Sequence, residues 1–222
     1  MQIKIKLHNY FRIKRLQMFA TAYPNLSELN VLDIGGTSKI WVLLEKSYSL
    51  KPKHLSILNS NPVHLTNNSS YTSSEHNYET IIGDGCNLPF SDKSFDLVFS
   101  NSVIEHVGGL EDKAKFAMEC NRVGKNVYIQ TPNRWFPIEP HILAFLIHWL
   151  PRKLYRKLYF LSLIYIYEKY LALVIGNSGY VNARCWLEDA ELLSYKELTN
   201  LFPNQKICRE KVLGLTKSFI II

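Results

Sequence analysis

The sequence contains only four cysteines, and no two of them lie close enough along the chain to suggest a metal site or a redox pair. They are Cys86, Cys120, Cys185 and Cys208. A structural zinc site or a thioredoxin-like motif requires cysteines that are only a few residues apart. We therefore expect free thiols in a reducing compartment, with neither disulfide bonds nor a metal centre.

The sequence also lacks an apolar run that could cross a membrane. The longest uncharged apolar runs, 142–150 and 158–167, are much shorter than the roughly 18 residues that suggest a transmembrane helix. The first residues are basic, but no apolar segment of the secretory type follows them. These absences predict a cytoplasmic protein and leave open a peripheral position at the inner face of the membrane.

Both common glycine-rich phosphate-binding patterns are missing as well. The chain contains neither G-x-G-x-x-G nor G-x-x-x-x-G-K-[ST], so dinucleotides and nucleoside triphosphates are disfavoured as ligands. An adenosine ligand without such a phosphate group requires less of the protein. One or two glycines allow close backbone approach, and polar groups bind the ribose and the base.

Short apolar segments alternate with helical patterns up to residue 130. The apolar segments have no in/out alternation, which is typical of parallel strands that are buried on both faces. The predicted strands lie at 31–34, 54–58, 80–82, 96–100 and 127–130. The predicted helices lie at 8–22, 38–46 and 110–122, the last capped by Gly124. We therefore predict an α/β fold with a mostly parallel sheet.

The pattern changes after Pro137. Residues 141–175 are apolar, rich in aromatics and helical in pattern, which predicts an inserted helical segment. The C-terminal part predicts a helix capped by Ser194 and two closing strands, at 206–213 and 217–222. These two strands bring the predicted sheet to seven.

Polar or glycine residues follow each of the first five predicted strands. In an open parallel sheet, ligands bind outside the carboxyl ends of the strands. One polar residue after a strand is simply a turn, but five such strand ends along one edge favour a nucleotide-like ligand. The strand ends carry Asp33 to Gly36, Asn59, Asp84, Ser100 to Ser102, and Gln130 to Asn133.

The segment GDGCNLPFSDKSFDLVFSNSVIEHV, with VLDIGGT before it and QTPNRWFPIEPH after it, resembles the class I S-adenosylmethionine-dependent methyltransferases of the type 11 group. More narrowly, the chain resembles a bacterial branch associated with glycosyltransferases and surface-polysaccharide synthesis. The resemblance runs from about residue 28 to the C-terminus. It implies a Rossmann-like class I methyltransferase fold with helices on both faces of the sheet, an aromatic-rich lid segment, and S-adenosyl-L-methionine as cofactor.

The resemblance also implies an organisation of the chain. We predict a single methyltransferase domain over 1–222. Its parts are a basic N-terminal helix at 1–27, a cofactor-binding core at 28–140, a helical insertion or lid at 141–190, and a C-terminal helix with closing strands at 191–222.

The resemblance places the cofactor residues by position. Asp33 and Gly35 would line the methionine end, Asp84 would accept from the adenine amino group, and Ser100 and Asn101 would lie below the sulfonium. Asn59 stands where an acidic residue usually binds the ribose hydroxyls, so we expect a weaker or differently shaped contact. The implied cofactor-binding set is Asp33, Gly35, Gly36, Asn59, Asp84, Cys86, Asn87, Ser100 and Asn101.

Catalysis by methyl transfer needs an aligned nucleophile and, for an alcohol, a base. His141, on a rim shaped by three prolines, is the preferred candidate for the base or for a substrate contact, and His106 is the second. His148 is interpreted as a half-buried histidine beside Trp149. Asn133, Arg134 and Glu139 lie on the same rim and would bind substrate, with a surface ion pair as the alternative for Arg134 and Glu139.

Positive charge is concentrated in two segments. The chain has 26 Lys and Arg against 19 Asp and Glu, a net charge of +7. Residues 1–23 carry +5 and residues 152–169 carry +4, so the rest of the chain sums to −2. Basic amphipathic segments with interleaved aromatics lie on anionic membranes, but a substrate lid or a dimer face explains the pattern equally well. Nucleic acid is a less favoured partner than a small-molecule or lipid-linked glycan substrate, and a homodimer stays open.

Three functional hypotheses follow. The first is an S-adenosylmethionine-dependent methyltransferase that acts on a small or lipid-linked acceptor, with a sugar in surface-polysaccharide synthesis suggested by the resemblance alone. The second is a non-catalytic scaffold of a membrane-associated glycan-synthesis complex that has kept the cofactor fold. The third is an RNA methyltransferase.

Overall fold

The structure is a computed structural model that describes residues 13–61, 78–139, 144–158, 161 and 190–222. The strands in these ranges are β1 Asn30–Ile34, β2 His54–Asn59, β3 Tyr78–Ile82, β4 Phe95–Asn101, β5 Gly124–Pro132, β6 Ile138–Glu139, β7 Ala144–Phe145, β8 Ile207–Val212 and β9 Leu215–Ile221. The helices are α1 at 13–22, α2 Ser38–Tyr48, α3 Leu110–Val123, α4 Arg152–Leu158 and α5 Tyr195–Leu201. Short 3-10 turns lie at Leu26–Glu28, Ile104–His106 and Ile147–Trp149.

Seven of these strands form one sheet in the order β3-β2-β1-β4-β5-β9-β8. β1 pairs in parallel with β2 and β4, and β2 pairs in parallel with β3. β9 runs antiparallel to both β5 and β8. The predicted α/β fold with a mostly parallel, seven-stranded sheet is confirmed.

The chain divides into two compact units, and the first comprises Met1–Phe99 with Cys120–Val127. The middle of each central strand is covered on both faces: Leu32, Ile57 and Leu97 have no exposed surface. α1 places Phe19 against the rings of Trp41 and Phe99, with centroids 5.9 and 5.2 Å away. The first helix is thereby fixed to the same core as α2.

The second unit comprises Ser100–Glu119 with Tyr128–Ile222. Its last helix, α5, begins with a capping box: the Ser194 hydroxyl accepts from the Glu197 N–H, and the Glu197 carboxylate accepts from the Ser194 N–H. The predicted cap at Ser194 is confirmed. Leu198 and Phe202 then bury the inner face of α5, and β8 and β9 close the sheet as a hairpin with Gly214 in its turn.

The continuous helical pattern predicted from residue 141 is wrong over 144–151. Ala144–Phe145 pairs with Ile138–Glu139 as a two-stranded ribbon, and a 3-10 turn follows it. Leu146 has a left-handed backbone with φ 59°, which ends any regular helix or strand at that point. α4 begins only after Pro151, and the rest of the predicted helical segment, except Leu161, lies outside the described residues.

Gly124 has another role than the helix cap that the sequence predicts. α3 ends at Val123 and Gly124 is already the first residue of β5. A Cβ at Gly124 would lie 2.7 Å from Cγ2 of Val98. The glycine is therefore required by close packing of β5 against its neighbour rather than by a left-handed cap.

Candidate functional site

The turn after β1 brings backbone close to the neighbouring strand. Gly35 has a φ of 74°, in the region that favours glycine. Its N–H donates to the carbonyl of Leu58 at 2.7 Å, which bends the chain over the end of β2. α2 begins three residues later, at Ser38.

Gly36 is required for a different reason. A Cβ at this position would collide with the carboxylate of Asp33. Any side chain larger than hydrogen would therefore displace either the turn or the acid beneath it. Gly36 and Asp33 form a tightly packed pair at the end of β1.

The Asp33 carboxylate is fully buried. Its Oδ2 accepts from Nε1 of Trp41 at 2.7 Å, and its Oδ1 has no hydrogen-bond partner. Burial raises the pKa of Asp33 to about 7, and the hydrogen bond from Trp41 opposes part of that rise. Asp33 thus lies under the glycine turn and carries an acceptor that the protein leaves unsatisfied.

Asn59 at the end of β2 connects the turn to the next strand. Its Nδ2 donates to the carbonyl of Gly36 at 3.4 Å, and its Oδ1 accepts from the N–H of Asn61. The backbone carbonyl of Asn59 accepts from the N–H of Gly83 at 3.1 Å. The ends of β1, β2 and β3 are therefore joined through this one residue.

The loop after β3 presents Asp84 at the surface. Oδ1 of Asp84 accepts from the N–H of Cys86 at 2.9 Å, and its carbonyl accepts from the N–H of Asn87 at 3.1 Å. These bonds make a tight turn that holds the exposed carboxylate in a defined position. The first unit thus links the ends of β1, β2 and β3, which carry or directly precede its predicted cofactor residues.

The second unit contains Ser100 and Asn101, the remaining two predicted cofactor residues. Ser100 is buried and Asn101 half-buried at the end of β4. The chain then turns at Ser102, with φ 58°, whose N–H and hydroxyl both donate to Gln130 at 2.9 Å. The end of β4 is thereby attached to β5.

A buried acid in the 3-10 turn after β4 escaped the sequence analysis. Glu105 has no exposed surface, and its Oε2 accepts from the hydroxyl of Thr131 at 2.9 Å. Its carbonyl accepts from the N–H of Glu191, whose carboxylate lies 3.4 Å from the buried ammonium of Lys113. His106, one of the two predicted bases, is half-buried beside Glu105.

The predicted substrate residues after β5 are held by the protein itself. Asn133 donates from Nδ2 to the carbonyl of Thr216 and accepts at Oδ1 from the N–H of Trp135. Arg134 donates to the carbonyl of Leu192 at 2.7 Å and pairs with Glu197 at 2.9 Å. These contacts hold Asn133 and Arg134 against the C-terminal part of the second unit.

Two predicted residues of this rim cannot be placed. His141 and the side chain of Glu139 lie outside what the structure describes. His148 is half-buried, with Nε2 3.0 Å from the carbonyl of Arg134 and its ring 6.0 Å from that of Trp149. Among the described residues, no helix has both the length and the apolar character that crossing a membrane requires.

Solved structures share this fold over most of the chain. The magnesium protoporphyrin IX methyltransferase (ChlM) from Synechocystis PCC 6803, solved with bound SAH, gives a TM-score of 0.59 at 12% identity over 99% of this chain and 84% of that one. The methyltransferase domain of bacterial CtHen1 gives 0.55 at 11% identity, over 93% and 95% of the two chains. The fold is that of the class I S-adenosylmethionine-dependent methyltransferases.

The sequence comparisons cover a smaller part of the chain than the structural ones. Residues 32–127 match the family model of a methyltransferase domain of the type 11 group. Norajmaline N-methyltransferase from Rauvolfia serpentina is 33% identical over 108 residues, which make up 47% of this chain and 36% of that enzyme. The alignment therefore spans well under two thirds of the relative's length.

Proposed function

We propose that this chain is an S-adenosyl-L-methionine-dependent methyltransferase. The observation that carries the proposal is the close-packed pair of Gly36 and Asp33 at the end of β1, within the segment that matches the methyltransferase family. A side chain is excluded from the turn, and a buried carboxylate oxygen beneath it has no partner. An unsatisfied buried acceptor beneath a turn without side chains fits a ligand that brings hydrogen-bond donors to this end of β1.

The cofactor, when bound, supplies an activated methyl carbon on a sulfonium, so the protein need not activate the methyl group itself. The glycine turn would hold its methionine end, with the Asp33 carboxyl group beneath the turn. Asp84 would accept from the adenine amino group, beside Cys86 and Asn87. Ser100 and Asn101 complete the proposed set at the end of β4.

Asn59 has a particular place in this proposal. Its amide already bonds to Gly36 and Asn61, so its described contacts stabilise the turn. We therefore expect it to shape the ribose site mainly through the position of the turn, in line with the weaker ribose contact that the sequence predicts.

The proposed acceptor is a small molecule or a lipid-linked precursor, and a sugar is the favoured class. The sugar rests on the resemblance to the bacterial branch associated with glycosyltransferases. The curated relative bears the name of a small-molecule N-methyltransferase, which supports a small acceptor in general. A homodimer stays a prediction.

For proton removal we propose His106 or His141. His106 lies in the 3-10 turn directly after β4, next to the buried Glu105. Arg134 and Asn133 would then act by holding the rim in shape, and Glu139 stays a proposed substrate contact.

The test is transfer of labelled methyl groups from S-adenosylmethionine into fractionated cell extracts. We expect label in a small-molecule or lipid fraction with the wild-type chain and a loss of label with Asp84→Ala. Asp92→Ala, which removes an exposed acid paired with Arg122, is the matched control and should keep activity. Label confined to RNA would contradict the proposed acceptor, and no label in any fraction would favour the scaffold.

A further inference from the structure

The part of the chain after β5 exposes an unusual share of large apolar side chains. Seven of the fourteen that the described residues expose lie between positions 135 and 161, although this stretch is a small part of the chain. Single exposed apolar residues need no explanation, but a concentration of them indicates an interaction surface. We define the apolar face as Trp135, Ile138, Phe145, Trp149, Leu150 and Leu154.

Local contacts bring these residues together. Ile138 and Phe145 are direct partners in the β6–β7 ribbon, so their side chains lie on the same face of it. The rings of Trp135 and Trp149 meet edge to face at 5.9 Å, and Nε1 of Trp149 donates to the carbonyl of Arg134 at 3.0 Å. Packing of α4 and β7 against the 3-10 turn places Leu154 in the same region.

Basic residues predominate in the chain segment that carries most of this face, and Glu139 directly precedes that segment. Residues 140–167 contain Arg152, Lys153, Arg156 and Lys157 and not a single Asp or Glu. Lys153 and Lys157 are exposed on α4 and lie one helical turn apart. A like-charged second copy of the chain would be repelled at such a surface, whereas an anionic surface would be attracted.

We propose that the apolar face docks on an anionic lipid bilayer. Tryptophan suits the boundary between lipid and water, because the ring is apolar while its N–H remains hydrogen-bonded. Phe145 and Leu154 insert among the acyl chains near the headgroups, and Lys153 and Lys157 meet the lipid phosphates. The docking does not depend on methyl transfer, so the proposed function and this proposal fail separately.

The test is co-sedimentation of the full chain with vesicles. Vesicles of phosphatidylcholine and phosphatidylglycerol in about equal amounts provide the anionic surface, and pure phosphatidylcholine provides the neutral one. We expect Phe145→Ser with Leu154→Ser to weaken binding to the mixed vesicles at least about tenfold. Met118→Ser with Leu215→Ser removes two equally exposed apolar side chains elsewhere in the same unit and should leave binding unchanged.

Charge reversal tests whether the lysines of α4 bind the lipid phosphates. Lys153→Glu with Lys157→Glu should also weaken binding at least about tenfold, since each lysine near an anionic membrane contributes measurably. Lys206→Glu with Lys211→Glu, at two other exposed lysines, is the matched control. Calorimetry with S-adenosylhomocysteine on every variant should give unchanged affinity, which shows that the fold and the cofactor site are intact.

Three results would overturn the proposal. One is a wild-type chain that binds S-adenosylhomocysteine but neither kind of vesicle. Another is equal binding to neutral and mixed vesicles, because the occupant would then not be selected by charge. The third is an equal loss of binding in the variants and their controls, because the apolar face would then have no special part in docking.

Discussion

The two units of the chain use their strand ends in opposite ways. In the first unit, Gly36, Asn59 and Gly83 are joined by hydrogen bonds, and the buried Asp33 has an oxygen without a partner. In the second unit, Asn133 and Arg134 form hydrogen bonds and an ion pair with other residues of the protein. The apolar face that follows them in the chain is exposed. We therefore propose that the first region binds a polar ligand and that the second supports an interaction surface.

Asp33→Asn should give the largest change in the pH dependence of stability, because it removes the buried titratable carboxyl group of the first unit. The raised pKa of about 7 means that the neutral acid is favoured in the folded state. The wild-type chain should therefore lose stability as pH rises from about 4 through 7, by up to about 4 kcal/mol. Asp33→Asn should flatten that part of the stability curve, measured by urea denaturation without ligand.

Asp96→Asn is the matched control for this pH dependence. The hydrogen bond from Lys125 and that from the Asn30 N–H hold the pKa of Asp96 below its usual value. The ionised Asp96 therefore stabilises the fold at neutral pH, and this stabilisation is lost as the pH falls. The pH dependence due to Asp96 thus has the opposite sign to that due to Asp33. If Asp33→Asn left the loss of stability between about pH 4 and pH 8 unchanged, the buried charge would not be its source.

Gly36→Ala should have the next largest effect. The new Cβ would collide with the Asp33 carboxylate, and overpacking of this kind costs about 1 to 3 kcal/mol of the free energy of unfolding. S-adenosylhomocysteine affinity should fall at least about tenfold, since the turn must move. At Gly109 a Cβ meets nothing within 4 Å, so Gly109→Ala should leave both quantities unchanged, and an equal effect of the two variants would contradict the account.

Thr131→Val tests the second unit. It removes the hydroxyl that donates to the buried Glu105, which should lower the free energy of unfolding by about 2 kcal/mol. Thr199→Val removes an exposed hydroxyl bond within α5 and should cost less than about 0.5 kcal/mol. Neither variant should alter S-adenosylhomocysteine affinity. A large fall in that affinity with Thr131→Val would contradict the proposed difference between the two regions.

Asp84→Ala is expected to have the smallest effect on stability and a selective effect on binding. Asp84 is exposed and bonds to its own turn, so the fold should stay intact. Its loss should weaken S-adenosylhomocysteine binding about tenfold, the cost of roughly one hydrogen bond to a charged group. Unchanged affinity in calorimetry would refute the placement of the adenine.

Much of the fold could be predicted because it depends on local pattern. Apolar runs without alternation mark the parallel strands, and Ser194 with Glu197 three residues later marks the start of α5. The segment 144–151 was predicted as helix because its apolar composition does not distinguish a helix from a short ribbon. Its actual form depends on the left-handed Leu146 and on pairing with Ile138–Glu139.

The site was less predictable because its main contacts are tertiary. Nothing in the spacing of Trp41 and Asp33 shows that the indole N–H donates to the carboxylate. Glu105 directly precedes His106, and its buried hydrogen bond with Thr131 has no signature in the sequence. The collision that makes Gly36 necessary depends on the direction of the Asp33 side chain. A glycine pair after a strand indicates a turn, but only the three-dimensional packing shows why a larger residue cannot replace Gly36.

Isothermal calorimetry with S-adenosylhomocysteine tests the central claim most directly. We expect saturable binding of one molecule per chain at sub-millimolar concentration, weakened by Gly36→Ala and unaffected by Gly109→Ala. An absence of binding at about millimolar ligand, in a chain that unfolds cooperatively, would contradict it.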